Sequence, residues 1–212
     1  MRIDKIIPEK TAVLVIDMQN DFVGPGAPIY IDMGHQMAPA LKEFLDRCRQ
    51  EKIQIIYTKD VIRADRKDMA KAGEFCEAIK EGRALVDGTS GAEIYEAVAP
   101  RQGDIVIKKN RYSAFCGTTL DSILRTLGVN TVVITGVCTE CCCFSTARDA
   151  GQNCYDVVFL SDLTGNNGYE DIGYGEIDAA SLHRAMLIMI GHTTAHVMDS
   201  EEFFGKVEKE DL

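Results

Sequence analysis

Thr131 to Ala150 reads TVVITGVCTECCCFSTARDA. Its first five residues, Thr131-Val132-Val133-Ile134-Thr135, are all β-branched, the composition of a strand buried on both faces. Gly136 is expected to end that strand, Gly136-Val137-Cys138-Thr139 to turn, and Glu140 to Ala150 to run helical, with Glu140 in the first turn where the helix dipole favours an acid. Such a strand–turn–helix junction leaves backbone N–H groups of the first helical turn pointing above the sheet, which suits an anion or a developing oxyanion. A cysteine placed there is activated.

Cys138, Cys141, Cys142 and Cys143 crowd this junction. Any one of them alone reads as a small apolar core residue. Successive helical residues turn by about 100°, so the four cannot share one environment, and at most one or two are expected to face a site.

The rest of the chain supplies the frame. With 212 residues and 46% hydrophobic content it can bury a full core, and no Pro/Ser-rich linker, charge block or repeat divides it, so residues 1–212 are read as one domain. Met1-Arg2-Ile3-Asp4-Lys5 lacks the apolar stretch of a signal peptide, and apolar runs are strand-sized, so neither export nor a membrane span is expected and the reading is cytoplasmic. A net charge of −10 without clustered Lys or Arg argues against nucleic acid. The eight cysteines have no disulfide-scaffold spacing and fit reduced thiols.

In chain order, Thr11–Ile16 is a buried strand delivering Asp17, and Gly24-Pro25-Gly26 and Pro28 mark a loop. Met37–Lys52 reads as a helix with Leu41, Phe44, Leu45 and Cys48 on one face, and Ile53–Thr58 as the second strand. Lys59 to Gly91 is a polar excursion expected to cover the site, with short helices around Met69–Glu81. Ile105–Ile107 is a third strand that delivers Lys109; a helix over Thr118–Leu127 is capped by Gly128. After the junction come a strand over Val157–Leu160, a helix over Glu176–Ile190 and a weak sixth strand over Thr194–Val197. Strands alternating with helices imply a mostly parallel six-stranded sheet between two helical layers, a three-layer α/β/α fold.

In such sheets ligands bind beyond the carboxyl ends of the strands. Asp17, Lys109 and the 136–143 turn each follow a separate buried strand, so an acid, an ammonium and a thiol converge on one edge. Singly, Asp17 also reads as a turn residue and Lys109 as a solvated loop lysine. Together they describe a nucleophile: an ammonium favours thiolate, and a carboxylate within reach accepts the thiol proton. Attack on an amide carbonyl would create an oxyanion for the turn's N–H groups, and Asp17 would then protonate the leaving amine.

Leu14-Val15-Ile16-Asp17-Met18-Gln19-Asn20-Asp21-Phe22, Lys109-Asn110-Arg111-Tyr112-Ser113-Ala114-Phe115, and Gly136–Cys143 with Thr146-Ala147-Arg148-Asp149-Ala150 resemble the isochorismatase-like cysteine hydrolases, over residues 10 to 200 or so. The resemblance implies a Rossmann-type α/β/α fold, catalytic Asp17, Lys109 and Cys142, a non-proline cis peptide before Cys138, and an oxyanion hole from the Cys138 and Cys142 N–H groups. Position 143, usually Val in the family, is Cys143 here, which fits a core filler. It further implies hydrolysis of a small amide or ureido C–N bond through a thioester-type intermediate, as in N-carbamoylsarcosine, biuret and ureidoacrylate amidases.

Nicotinamidases of that family carry an Asp-x-His metal motif where this chain has Asp60-Val61-Ile62, and His35, His183, His192 and His196 show no metal-ligand spacing. No metal and no cofactor are expected, which lowers a nicotinamidase reading; Cys142 lowers a true isochorismatase reading, since those enzymes lack the cysteine. Phe22 and Tyr112 are the substrate-pocket candidates, while Arg111 reads as exposed and Asn166-Asn167-Gly168 as a turn. Two other classes remain open: a thiol-redox or soft-metal protein using the Cys138–Cys143 cluster, and a binding protein without activity. Relatives of this kind are commonly dimers or tetramers, so a homo-oligomer is expected.

Overall fold

The computed structural model describes residues 3–208; Met1 and Arg2 of the N-terminal stretch read above lie outside them. Its elements are β1 (Thr11–Ile16), α1 (Asn20–Val23), α2 (Asp32–Gln50), β2 (Gln54–Asp60), α3 (Glu77–Lys80), β3 (Ile105–Lys109), α4 (Leu120–Thr126), β4 (Thr131–Val137), α5 (Phe144–Gln152), β5 (Asp156–Gly165), α6 (Ala179–Thr193), β6 (His196–Met198) and α7 (Ser200–Lys206). All six strands join one sheet in the order β3-β2-β1-β4-β5-β6, every pairing parallel.

Strand geometry explains the layers. Side chains alternate between faces, and β1 is buried at every position. Val13 and Val15 enter a core with Leu41, Phe44 and Leu45 of α2 and Phe203 of α7. Ala12, Leu14 and Ile16 enter a second core with Leu120 and Leu124 of α4, Ala147 of α5 and Ile190 of α6. The sheet is therefore covered on both faces, the α/β/α arrangement expected. Strand order reverses between β1 and β4, which places the ligand crevice above Asp17 and the 136–143 turn. Among the described residues no helix is long and apolar enough to cross a membrane.

Several boundaries differ from the sequence reading. The α2 helix starts at Asp32 and carries Pro39 in its interior. Lys59 and Asp60 belong to β2, not to the cover. The fifth strand runs ten residues, Asp156–Gly165, because its register against β4 shifts between Ile134 and Gly136. Gly136 does not end β4, which continues through Val137. The short α1 and the C-terminal α7 had no periodic signal long enough to announce them.

Gly136 is required for a different reason than strand termination. Its φ is +103°, and an added Cβ would lie 2.1 Å from the Ile16 carbonyl oxygen, so β1 and β4 approach closely just below the site. Gly136→Ala should therefore destabilise the protein by about 4 kcal/mol or more, lowering the thermal midpoint by roughly 10 °C. A midpoint within a few degrees of wild type in circular-dichroism melting would contradict this.

Candidate active site

Asp17 leaves β1 with a φ of +49°, a left-handed conformation that Asp tolerates better than most residues. It is fully buried. Thr58 of β2 fixes it from both sides: the Thr58 hydroxyl donates to Asp17 Oδ1 at 2.6 Å and lies 3.1 Å from the Asp17 amide, which donates to it. Lys109 closes β3, and its ammonium lies 2.7 Å from Asp17 Oδ2, 3.2 Å from Asp60 Oδ2 and 3.4 Å from Cys142 Sγ, with the Arg111 carbonyl at 3.0 Å. The structure thus brings together Asp17, Lys109 and Cys142, three residues far apart in sequence.

Cys142 sits not on an α-helix but on a π-helical turn, Thr139–Cys143, that leads into α5. Such turns are often found at functional sites. The Cys138 carbonyl accepts the amides of Cys141 and Cys143 at 3.2 and 3.1 Å, and the Val137–Cys138 peptide is cis, as the resemblance implied. His183 of α6 braces the turn: Nε2 donates to the Ser161 carbonyl at 2.9 Å, and Nδ1 is hydrogen-bonded to the Thr139 hydroxyl at 3.0 Å. His183 is thereby a buried structural histidine.

The cysteines separate differently from the helical expectation. Cys138, Cys141 and Cys142 all line the cavity above the sheet, one more than expected, because Cys138 precedes the turn and the turn itself is wide. Cys143 faces the core, with its thiol toward the Thr135 carbonyl at 3.8 Å. All eight cysteines are free thiols.

The cavity holds about 630 Å³, room for a small organic molecule. Both pocket candidates, Phe22 and Tyr112, line it, as do Phe75, Ile79 and Leu85 from the cover. The end of the cover and the residues just after it are stitched to the segment following β1 by Asp21 N–H to the Gly91 carbonyl, Asn20 N–H to the Glu93 carbonyl and Tyr95 N–H to the Met18 carbonyl. Gln19, unassigned in the sequence reading, is a buried clamp: its amide nitrogen donates to the Asp60 and Ala92 carbonyls and its oxygen accepts the Asp60 N–H. Asn166 is fully buried with neither amide atom partnered, which corrects its reading as a turn residue. Asn167 accepts the Asp32 amide and donates to the Tyr30 carbonyl, anchoring its loop to the start of α2.

Asp17, Asp60 and Cys142 offer donor atoms within 4.8 Å of one another, the spacing of a metal site. The Lys109 ammonium already stands among them, so the chain supplies its own cation there. Ile62, at the place of the His of metal-binding relatives, is buried and offers no ligand atom.

Burial pushes the Cys142 thiol well above its ordinary value; Lys109 pulls it down, and Asp17 and Asp60 push it further up. At neutral pH the thiol therefore rests protonated. Lys109 acts with the sign expected from sequence, but desolvation and two carboxylates outweigh it. Burial also opposes the charge of Lys109, yet Asp17, Cys142 and Asp60 together hold its pKa well above the usual lysine range.

Asp60, which the sequence reading noticed only for its missing His partner, is the least expected member. Burial raises it to about 6, with Lys109 opposing and Asp17 reinforcing the shift. Its pKa is higher folded than unfolded, near 4, so the folded protein binds more protons between about pH 4 and 6, and stability falls as pH rises through that window. Asp60→Asn should flatten this fall by on the order of 2–3 kcal/mol. Melting temperatures of both proteins across the window check it; parallel curves would contradict the assignment.

A model of the isochorismatase domain matches residues 11–202. The ureidoacrylate amidohydrolase RutB of Rhizobium rhizogenes is 34% identical over 183 residues, 76% of this chain and 72% of that protein. Nicotinamidase 3 of Arabidopsis thaliana is 30% identical over 196 residues, 90% of this chain and 85% of its own length. The crystal structure of a cysteine hydrolase from Pseudomonas syringae pv. phaseolicola is similar at a TM-score of 0.90 and 30% identity, covering 95% of this chain and 93% of that one. Sequence and fold agree over nearly the whole chain, and by that agreement it belongs to the isochorismatase family of hydrolases.

Proposed function

We propose that this protein is a cysteine-dependent amidohydrolase that cleaves a small amide or ureido C–N bond and releases ammonia or an amine. The observation that carries the reading is one buried ammonium, Lys109, 2.7 Å from Asp17 and 3.4 Å from Cys142, a residue that lines the cavity. The names of its relatives, a ureidoacrylate amidohydrolase and a nicotinamidase, support the same bond class.

The thiol rests neutral, so its proton must leave during attack. Asp17, held by Thr58 and Lys109, takes that proton as the Cys142 sulfur bonds to the carbonyl carbon. The carbonyl oxygen becomes an oxyanion that the Cys138 and Cys142 N–H groups stabilise. Collapse breaks the C–N bond, the departing nitrogen takes the proton from Asp17, and a thioester or S-carbamoyl group remains. Asp17 then accepts a proton from water, whose oxygen attacks the acyl carbon, and the proton returns to the sulfur as the acid leaves. Lys109, 2.7 Å from Asp17 Oδ2, holds that carboxyl in place between the thiol and the substrate through both halves of the cycle.

Rapid-quench mass spectrometry with a panel of small amides and ureido compounds tests the covalent step. The expected result is an adduct on the Cys142 peptide equal to the substrate's acyl portion. Steady ammonia release by the wild type with no adduct at any time would contradict a covalent route.

A further inference from the structure

The cavity above Cys142 has walls of one electrostatic sign. Its charged lining residues are Asp60, Glu77 and Glu140, and among the described residues no Lys or Arg lines it. Lys109 is committed beneath it to two carboxylates. Arg111, the basic residue nearest in sequence, turns its guanidinium to the carbonyls of Asp68 and Asn110.

Glu140 makes the field asymmetric. Its Oε1 accepts the Tyr169 hydroxyl at 2.6 Å and faces the Cys141 thiol at 3.8 Å. Its Oε2 is withdrawn from water with no hydrogen-bond partner. Among the described residues Glu140 has no ion-pair partner, and a carboxylate oxygen held out of water acts on the neighbouring cavity through a low dielectric, where charge is poorly screened. Five aromatic residues, Phe22, Tyr30, Phe75, Tyr112 and Tyr169, line the wall beside aliphatic ones such as Ile79 and Leu85, and aromatic rings attract cations. Burial also holds Tyr112 up at about 12, so its hydroxyl stays a neutral donor and adds no negative charge of its own.

We propose that the cavity selects an amide or ureido compound whose non-reacting end carries no carboxylate and is favoured when it bears a cation, seated among the aromatic rings with Glu140 as the selecting charge. Only the identity of the reacting amide group rests on the amidohydrolase reading; the charge selection belongs to the cavity itself.

Three amides of equal length separate these points: butyramide, γ-aminobutyramide and succinamate. Each is measured for protection of Cys142 against iodoacetamide, which needs no turnover, and for ammonia release. The ammonium compound should protect at concentrations about tenfold or more below those succinamate needs, with butyramide between. Glu140→Gln should narrow that ratio, and Glu140→Asp should keep it. Equal protection by all three, including none by any, or strongest protection by succinamate overturns the proposal. An unchanged ratio in folded Glu140→Gln overturns the role of Glu140. If the ammonium compound protects best but no amide is hydrolysed, the charge selection stands and the amidohydrolase reading falls.

Discussion

Lys109→Ala should lower kcat/KM by about a thousandfold, because the ammonium sets the charge balance in which Asp17 can act as acid and base, and such catalysis is worth roughly 10²–10⁴ in rate. Without the ammonium, Asp17 and Asp60 face each other in a site with little water. Two close carboxylates cannot both stay ionised, so one takes up a proton. If Asp17 does so, it can no longer accept the thiol proton. The Cys142 thiol loses the pull of Lys109 toward lower pKa and titrates higher still.

The pH dependence of Cys142 alkylation reads this directly. In Lys109→Ala the rise in alkylation rate should move to higher pH than in wild type. Lys109→Met, which keeps most of the side-chain volume, should behave alike and so separate lost charge from a cavity. Identical alkylation profiles in wild type and both variants would show that Lys109 does not tune the thiol.

Much of this site was legible because its members lie where strand signals end. Asp17 and Lys109 each terminate a run of β-branched or alternating apolar residues, and Cys142 follows the most strongly β-branched run in the chain. Parallel strands buried on both faces announce themselves in composition, and their carboxyl ends share one edge by topology. Singling out Cys142 among four cysteines is different: helix geometry leaves the choice open, and only the resemblance to the family motif points to it.

What the sequence hid depends on distant atoms. Gly136 reads as a strand terminator until the Ile16 carbonyl is placed against it. Asp60 reads as the start of a polar loop, yet the Gln19 clamp and the parallel pairing with Lys109 make it a buried part of the charge cluster. The π-helical turn has no composition signal, and it puts Cys141 and Cys142 on the same cavity wall. Asn166 has the residues of a turn around it, but the lengthened β5 carries it into the interior beyond Gly165, the register partner of Val137. Each of these is set by register or close approach, which no local window contains.

Cys142→Ala carries the largest expected effect. The substitution deletes the proposed nucleophile and leaves Asp17, Lys109 and the cavity walls in place, so binding can persist while the covalent route is gone. For enzymes that work through a nucleophile, such a deletion costs on the order of 10⁴–10⁶ in kcat. The most direct measurement is ammonia release from a panel of small amides and ureido compounds by wild type and Cys142→Ala side by side, with and without a chelator. The predicted result is release by wild type that the chelator does not diminish, and none above background in the variant. Full release by Cys142→Ala from a compound the wild type cleaves would contradict nucleophilic catalysis by Cys142.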